Sequence, residues 1–326
     1  MSNHEPRVCM VHPIDSSHRN PFIYLTTVGR LEGKNAIITG AAGGVGLEAT
    51  ILFLQQGASV LMTDINNAAL ERALNKVKSV VTNPNGRVEK KVVDVSKEEQ
   101  VEAAVTHLDA WGGVDVMFNN AGIMHPKDGD SEECPDSIWD LTFDINVKGV
   151  WYGSKHAVRS LRKHGKTKGS IINTASMVAI VGAATPQVAY TASKGAVLAY
   201  TREMAIVHAR EGKLPLQLTL SCTTQVSLDA NGYISHGSLF TDIVFPISTP
   251  MLQEFLGDDK AKRFRREVHF PTGRFGEAIE QAQAAVFLAS DESSFVNAHD
   301  FVVDGGLTKA YVTPEGPATQ APRNQG

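Results

Sequence analysis

The sequence has few cysteines, with only three among 326 residues. Cys9, Cys134 and Cys222 are widely spaced, so they indicate neither a disulfide framework nor a zinc site and are typical of a reducing compartment. No apolar run approaches the roughly 20 residues that a membrane helix needs. Met1–Asn20 lacks the apolar stretch of a secretory signal. We therefore predict a cytoplasmic protein without a membrane partner.

The chain also lacks an excess of basic residues. Its net charge is −4 and no basic block occurs, so nucleic acid is not a predicted partner. Hydrophobic residues make up 42% and charged residues 20%, which is typical of a soluble globular protein with a sizeable core. The scattered histidines show no ligand spacing, and we predict no metal site.

Short apolar runs alternate with segments of helical spacing. Strands are predicted at Asn35–Thr39, Ala58–Thr63, Arg87–Val95, Val114–Phe118, Ser170–Thr174 and Asp300–Val303. Helices are predicted at Gly46–Gln56, Asn67–Val80, Glu98–Trp111, Asp136–His164, Ala189–Arg210 and Glu277–Ala289. This alternation indicates βαβ units, and hence an α/β fold with a Rossmann-type doubly wound parallel sheet of about seven strands flanked by helices.

The predicted domain has an extension at each end. Residues 1–30 are polar and irregular, and residues 31–312 form one predicted domain. Residues 313–326 are rich in Pro, Gly, Gln and Asn and are predicted to be a flexible tail.

A glycine-rich turn, Thr39–Gly46, joins the first predicted strand to the first helix. Glycines let the backbone approach a pyrophosphate, while the helix N-terminus supplies N–H groups and a positive dipole end. We predict a dinucleotide phosphate site here, formed by Gly40, Gly44, Val45 and Gly46.

Polar side chains follow the next three strands. Asp64 closes the second strand, where a carboxylate can accept hydrogen bonds from an adenosine ribose and would repel a 2′-phosphate. Ala41 and Ala42 offer such a phosphate no basic side chain, so the sequence favours NAD while leaving NADP open. The carboxyl ends of the third and fourth strands supply the further predicted cofactor contacts Asp94, Val95, Asn120, Ala121 and Gly122.

Tyr190 and Lys194 stand four residues apart in a segment with helical spacing. Residues at i and i+4 share one helix face, so the ammonium can lie beneath the phenol. A neighbouring cation favours the phenolate and lowers the tyrosine pKa from about 10 toward working pH. We predict that Tyr190 donates and accepts a proton.

Together, these motifs resemble the short-chain dehydrogenase/reductase family over residues 31–211 and about 247–312. The motifs that carry the resemblance are Thr39-Gly-x-x-x-Gly44-x-Gly46, Asp64, Asp94, Asn119–Gly122, Asn146, Ser176, Tyr190-x-x-x-Lys194 and Val303-Asp-Gly-Gly306. The glycine spacing is that of the family's shorter, single-domain members.

The resemblance implies a role for each residue of the chemical set. Ser176 would hold the substrate oxygen, and Tyr190 would pass the proton to or from it. Lys194 would bind the nicotinamide ribose, and Asn146 would hold a water that links Lys194 to solvent. Hydride would move directly between the substrate carbon and the nicotinamide, without a metal.

The position of the serine leaves alternatives open. Ser176 stands one residue further from Tyr190 than family members commonly place it, which an extra residue in Ile180–Gln187 would explain. Thr174 and Ser193 are the alternative candidates.

Late segments resemble fungal secondary-metabolite dehydrogenases, which implies a secondary alcohol or ketone on a polyketide or terpenoid. These segments are Ser248–Gln253, Pro271–Gly276, Phe287–Ser294 and Val303–Leu307. Thr249 matches the family threonine that contacts the cofactor. The family further implies a homodimer or homotetramer assembled through the helices at 136–164 and 189–210.

Residues 212–245 depart from the family pattern, because no Pro-Gly follows the expected sixth strand. In one interpretation Leu214–Cys222 is that strand, as its alternating pattern indicates, and 223–245 is an insertion over the active site. In the other, part of 212–245 is a translated intron, since Gly212-Lys213 can be encoded by GGTAAG, a typical intron donor.

The sequence thus predicts an NAD-dependent oxidoreductase that interconverts a secondary alcohol and a ketone on a hydrophobic small molecule. The competing hypothesis is a catalytically impaired protein of the same fold that binds or scaffolds, owing to the disrupted 212–245 region.

Overall fold

The computed structural model describes residues 29–82, 84–182, 186–210, 216–221, 264 and 267–309. Most of the predicted N-terminal extension, the whole predicted tail 313–326 and Thr249 lie outside the described residues.

Seven parallel strands form one sheet within the described part of the chain, in the order β3-β2-β1-β4-β5-β6-β7. The strands are β1 Asn35–Thr39, β2 Ser59–Asp64, β3 Val88–Val92, β4 Val116–Asn119, β5 Gly169–Thr174, β6 Leu216–Ser221 and β7 His299–Phe301. The strand order reverses between β1 and β4, and doubly wound sheets bind ligands in the crevice at such a switch point. The predicted fold class is confirmed.

Seven α-helices of the described residues flank this sheet. They are α1 Gly44–Gln55, α2 Asn67–Val80, α3 Glu98–His107, α4 Asp136–Phe143, α5 Gly149–Lys163, α6 Val188–Arg210 and α7 Ala278–Ala289. Side chains from α1, α2 and α7 pack with Ala36 and Ile38 on one face, and side chains from α3, α5 and α6 pack with Ile37 on the other. Because β1 is buried on both faces, its sequence is a continuous apolar run rather than an alternating one.

The predicted helix Asp136–His164 contains an interruption. A π turn, Asp144–Lys148, separates α4 from α5 and carries Asn146. The predicted third strand, Arg87–Val95, is shorter in the structure, where β3 spans Val88–Val92. Asp94 lies beyond its end in a turn, and its carboxylate accepts from the backbone N–H and the hydroxyl of Ser96.

The sixth strand lies where the first interpretation of the atypical region predicts it. Leu216–Ser221 pairs in parallel with β5 on one side and with β7 on the other. Residues 222–263 lie outside the described residues, so the insertion and the intron hypothesis both stay predictions.

Candidate active site

The glycine turn brings two backbone segments into close contact. Gly40 and Gly44 adopt φ values of +64° and +48°, a region that favours glycine. A methyl group at Gly46 would collide with the carbonyl oxygen of Gly40 and lie 3.0 Å from Nδ2 of Asn120. This packing exposes the N-terminus of α1 at the crevice, which fits the pyrophosphate of a dinucleotide.

The hydroxyl of Thr39 ties the end of β1 to the end of β4. Its Oγ1 accepts hydrogen bonds from the N–H groups of Asn120 and Ala121, both at 2.9 Å. Nδ2 of Asn120 donates to the Thr39 carbonyl oxygen at 2.5 Å. Oδ1 of Asn120 is buried and has no hydrogen-bond partner among the described residues.

Asp64 lies beside the glycine turn, as predicted. Its carboxylate accepts from the N–H of Ala42 at 3.2 Å and from that of Asn66 at 3.0 Å, and the residue is 5% exposed. These two bonds hold a negative charge against the turn, which fits a ribose diol better than a 2′-phosphate.

The other predicted cofactor residues lie at the same edge of the sheet. The side chain of Val45 is buried in the first turn of α1. Val95 packs so tightly against α5 that a Cβ at Gly149 would lie 2.9 Å from its Cγ2. These two residues therefore offer a ligand their backbone rather than their side chains.

Tyr190 and Lys194 lie on one face of α6, and each is 1% exposed. Nζ of Lys194 is 5.8 Å from the centroid of the Tyr190 ring. It also donates a 2.9 Å hydrogen bond to the carbonyl oxygen of Thr174 at the end of β5. The predicted neighbourhood of cation and phenol is present.

Asn146 connects the π turn to the loop after β4. Its Oδ1 accepts from the N–H of Ile123 at 2.6 Å, and its Nδ2 donates to the Ile123 carbonyl oxygen at 2.8 Å. The second Nδ2 hydrogen goes to Oγ of Ser193 at 3.0 Å. Both N–H groups of the amide are therefore used by protein, so a water would have to donate to Oδ1 or meet the backbone.

Ser193 links Asn146 to the residue that carries the phenol. Besides accepting from Asn146, its hydroxyl donates to the carbonyl oxygen of Tyr190 at 2.7 Å. This fully buried serine therefore fixes the first turns of α6. Sequence reasoning named it only as an alternative to Ser176.

Ser176 begins the short turn Met177–Ala179, and its Oγ accepts from the N–H of Val178 at 3.3 Å. Ala175, Met177 and Val178 belong to the same apolar cluster as Tyr190, so the serine lies next to the phenol's packing partners.

Thr174, the other alternative, is the last residue of β5 and stands two residues before Ser176. Its hydroxyl is buried without a hydrogen-bond partner among the described residues.

Gly122 joins the two ends of the site. A Cβ there would lie 3.0 Å from Oδ1 of Asn146 and 3.3 Å from Nζ of Lys194. The end of the cofactor loop thus lies directly against the polar groups of the chemical set.

Two residues of the loop after Gly122 were missed by sequence reasoning. Asp128 is 8% exposed and binds the N–H groups of Ala189 and Tyr190, a contact between distant segments that leaves no local pattern in the sequence. Burial lowers the pKa of His125, and Lys127 adds to this effect, so the ring is neutral at pH 7. Since its Nδ1 accepts from the N–H of Lys127, Nε2 carries the proton.

A groove of about 570 Å³ lies between α6 and β7. Its lining includes Ala179 and Ile180, which follow Ser176 along the chain. The described residues contain no group of three His, Cys, Asp or Glu that could hold a metal ion. None of the described helices is long and apolar enough to cross a membrane.

The doubly wound sheet, the glycine turn at its switch point and the Tyr–Lys pair define a dinucleotide-dependent oxidoreductase. The family profile described as short chain dehydrogenase matches residues 34–231, and that described as enoyl-(acyl carrier protein) reductase matches residues 244–308. The chain belongs to the short-chain dehydrogenase/reductase family, and it is an oxidoreductase that acts on CH–OH groups. Members of this family generally use NAD or NADP.

The chain covers nearly the whole length of three named relatives. The chain is 33% identical over 290 residues to the uncharacterized oxidoreductase YxbG of Bacillus subtilis, covering 88% of this chain and 95% of the relative. It is 33% identical to the 3-oxoacyl-[acyl-carrier-protein] reductase FabG of Thermotoga maritima, covering 85% and 99%. It is 34% identical to a 2,5-dichloro-2,5-cyclohexadiene-1,4-diol dehydrogenase of Sphingobium indicum, covering 85% and 98%.

Solved structures show the same fold. Levodione reductase superposes with a TM-score of 0.73 at 28% identity, covering 86% of this chain and 99% of that one. A putative short-chain dehydrogenase/reductase from Burkholderia xenovorans gives a TM-score of 0.70 at 28% identity, covering 87% and 100%.

Proposed function

We propose that this protein interconverts a secondary alcohol and a ketone on a hydrophobic small molecule, with NAD as the cofactor. The observation that carries the proposal is the Tyr190–Lys194 pair, buried on one helix face next to Gly122 at the end of the cofactor loop. A buried phenol beside an ammonium is suited to exchanging a proton with an alcohol or ketone oxygen.

Each residue of the chemical set would act on the substrate oxygen or on its neighbours. In the direction of reduction, Tyr190 donates its phenolic proton to the ketone oxygen, which the Ser176 hydroxyl holds by a hydrogen bond. Lys194 stabilises the resulting phenolate by its charge. The cofactor, when bound, supplies or accepts the hydride.

Asn146 and Ser193 orient this set. The Asn146 amide is clamped to Ile123 by two hydrogen bonds and reaches α6 through Ser193. Groups fixed in this way keep their orientation during turnover. Since the cofactor carries the hydride, such positioning is the main contribution that the protein makes to the rate.

The proposed cofactor preference depends on Asp64. Its carboxylate is held at the glycine turn, where it would accept hydrogen bonds from the ribose hydroxyls and repel a 2′-phosphate. We expect Asp64→Ala to reduce the ratio of NADH to NADPH affinity by at least about tenfold, which is 1.4 kcal/mol. Titration of both cofactors by fluorescence measures this ratio, and an unchanged ratio would assign the preference to other residues.

The proposed substrate is an apolar ketone or secondary alcohol, such as a polyketide or terpenoid. Apolar side chains around Tyr190 support this class: Val150, Met177 and Val178 share its cluster, and Met124 packs against it. The named relatives act on different molecules, an acyl chain and a ring diol, so they support the reaction class more than the compound.

We further propose a cytoplasmic homodimer or homotetramer assembled through α4, α5 and α6. Large apolar side chains on these helices are exposed in the single chain, which is unfavourable unless a second copy covers them. They are Leu141, Trp151, Ile206 and Val207, each exposed by 40–46%. Light scattering of the purified protein tests the oligomeric state.

The experiment for the main proposal is turnover of a panel of ketones and secondary alcohols, followed by NADH absorbance. We expect at least one apolar member of the panel to react, and Tyr190→Phe to lower kcat by about 10²–10⁴-fold while NADH still binds. If the protein binds NADH but converts no compound of the panel, this result supports the competing hypothesis of an impaired binding or scaffold protein. Equal rates for wild type and Tyr190→Phe would falsify the assigned role.

A further inference from the structure

The first turn of α6 is capped by a residue from a distant segment. Oδ1 of Asp128 accepts the N–H of Ala189 at 3.1 Å, and Oδ2 accepts the N–H of Tyr190 at 2.8 Å. The next residue, Gly129, accepts the N–H of Val188 through its carbonyl oxygen at 3.1 Å. Three consecutive N–H groups at the start of the helix are thus bound by two consecutive loop residues.

This arrangement replaces the usual local cap. A helix start is commonly capped by a Ser, Thr, Asp or Asn just before the first turn, whose side chain accepts the N–H groups of the second and third helical residues. Gln187 occupies that place here and is not a favoured capping residue. Asp128 binds the same two N–H groups from 61 and 62 residues away, and its negative charge also suits the positive end of the helix.

The loop that carries Asp128 is itself held in a tight turn. The N–H of Asp128 donates to the carbonyl oxygen of His125 at 2.9 Å, and the N–H of Lys127 donates to Nδ1 of His125 at 3.1 Å. This turn begins two residues after Ile123, whose N–H and carbonyl oxygen are both bound by the Asn146 amide. The loop after β4 is therefore joined to the Tyr190 backbone by two routes. Asp128 binds the Tyr190 N–H directly, and Asn146 connects Ile123 to Ser193, whose hydroxyl donates to the Tyr190 carbonyl oxygen.

We propose that Asp128 is a positioning residue for Tyr190, which fixes the backbone of the phenol relative to the loop that follows the cofactor segment. The proposal rests on the proposed function, because Tyr190 is the group that it positions. In this role Asp128 binds backbone N–H groups and does not contact the substrate oxygen or the phenol. It acts by keeping the first turn of α6 from shifting or fraying, and a displacement of about 1 Å at a reacting group can cost a hundredfold in rate.

Asp130 provides a matched control in the same loop. Its carboxylate also accepts two backbone N–H groups, those of Glu132 at 2.8 Å and Glu133 at 3.0 Å, but it is exposed and binds only its own loop. Asp130→Ala thus removes the same chemical group and the same number of bonds without touching α6.

The test combines steady-state kinetics with amide hydrogen exchange on the full chain. For Asp128→Ala we expect kcat to fall at least about tenfold with KM changed less than about threefold, because the phenol is misplaced rather than the substrate site lost. The amides of 188–190 should exchange at least about tenfold faster than in wild type. Asp128→Asn keeps one acceptor oxygen and should restore part of both losses. Asp130→Ala should change neither.

Each outcome decides the proposal. Exchange at 188–190 that is the same in wild type and Asp128→Ala overturns it, whatever the kinetics show. Unchanged kcat, or equal loss in Asp130→Ala, overturns it as well. If Asp128→Ala fails to fold, Asp128→Asn is compared with Asp130→Asn by the same two measurements. If no panel compound reacts with wild type, the proposed function fails, while hydrogen exchange still decides whether Asp128 fixes the Tyr190 backbone.

Discussion

The two ends of the site are built in different ways. The phosphate end is a short continuous stretch, Thr39–Gly46, in which backbone meets backbone and glycines leave the space. The chemical end is assembled by side-chain hydrogen bonds between the loop after β4, the π turn and α6. The first end requires glycines, which leave room for the close backbone contact, and the second requires particular side chains that form hydrogen bonds. Changes at the first should therefore alter cofactor affinity, and changes at the second should alter turnover.

Gly46→Ala gives the largest effect that we expect from this comparison. The added methyl meets the carbonyl oxygen of Gly40, and neither backbone segment can swing away as a side chain would. Overpacking of this kind costs about 1–3 kcal/mol. The turn can relieve it only by shifting away from the position of the pyrophosphate, and a loss of binding free energy of the same size corresponds to roughly 5- to 150-fold in the dissociation constant of NADH. Fluorescence titration with NADH measures it.

Gly195→Ala is the matched control, since Gly195 also lies within a helix but, apart from its chain neighbours and its own helix backbone, no described atom lies within 4 Å of its Cβ position. This variant should bind NADH like wild type. If Gly46→Ala binds NADH within about twofold of wild type, the loss is well below the cost of overpacking. The turn then relaxes around the methyl group, and the contrast between the two ends is wrong.

Ser193→Ala tests the chemical end with an intermediate effect. The change removes the link between Asn146 and the Tyr190 carbonyl, and it leaves a buried amide N–H without its acceptor. Losing one such hydrogen bond costs about 0.5–1.5 kcal/mol, so we expect kcat to fall by roughly 2- to 12-fold while NADH affinity holds.

Ser79→Ala is the control for that prediction. The Ser79 hydroxyl bonds the carbonyl oxygen three residues earlier at 2.7 Å, as Ser193 does, but it is exposed on α2 far along the chain from the catalytic set. A drop in NADH affinity rather than in kcat for Ser193→Ala would place Ser193 in the cofactor site instead.

The smallest effect concerns Cys134, near the loop that carries Asp128. Burial raises the pKa of its thiol, and the nearby Asp128 carboxylate adds to this. Because the thiolate is the reactive form, alkylation of Cys134 by iodoacetamide should reach half its maximal rate at a higher pH than for a free cysteine. Peptide mass spectrometry separates Cys134 from Cys9 and Cys222. A midpoint at or below the pH for free cysteine would contradict this prediction.

The same contrast explains what the sequence could predict. The glycine turn, Asp64 and the spacing of Tyr190 and Lys194 are local patterns, and the structure brings each of them to the expected edge of the sheet. Helix α2 was predicted residue for residue, because its apolar positions repeat at helical spacing.

What the sequence could not predict are contacts between distant segments. The capping of α6 by Asp128 joins residues more than 60 positions apart, and no local pattern records it. The role of Ser193 as a link depends on the amide of Asn146, which reaches it from another helix. The roles assigned to Asn146 and Ser176 in the reaction stay predictions, because they concern a bound water and a bound substrate.

The π turn between α4 and α5 determines how the buried faces of these two helices are aligned. Ile138, Thr142, Asn146, Val150 and Ser154 are all buried, at intervals of four residues. In a regular α-helix each interval of four overshoots a full turn by about 40°, so such a row would wind off the buried face. The wider turn absorbs this drift. Because the π turn holds one residue more than a regular turn, deleting one residue within Asp144–Lys148 would restore regular α-helical winding and leave α4 in its present orientation relative to α5, but the deletion would change the position of Asn146 in this row.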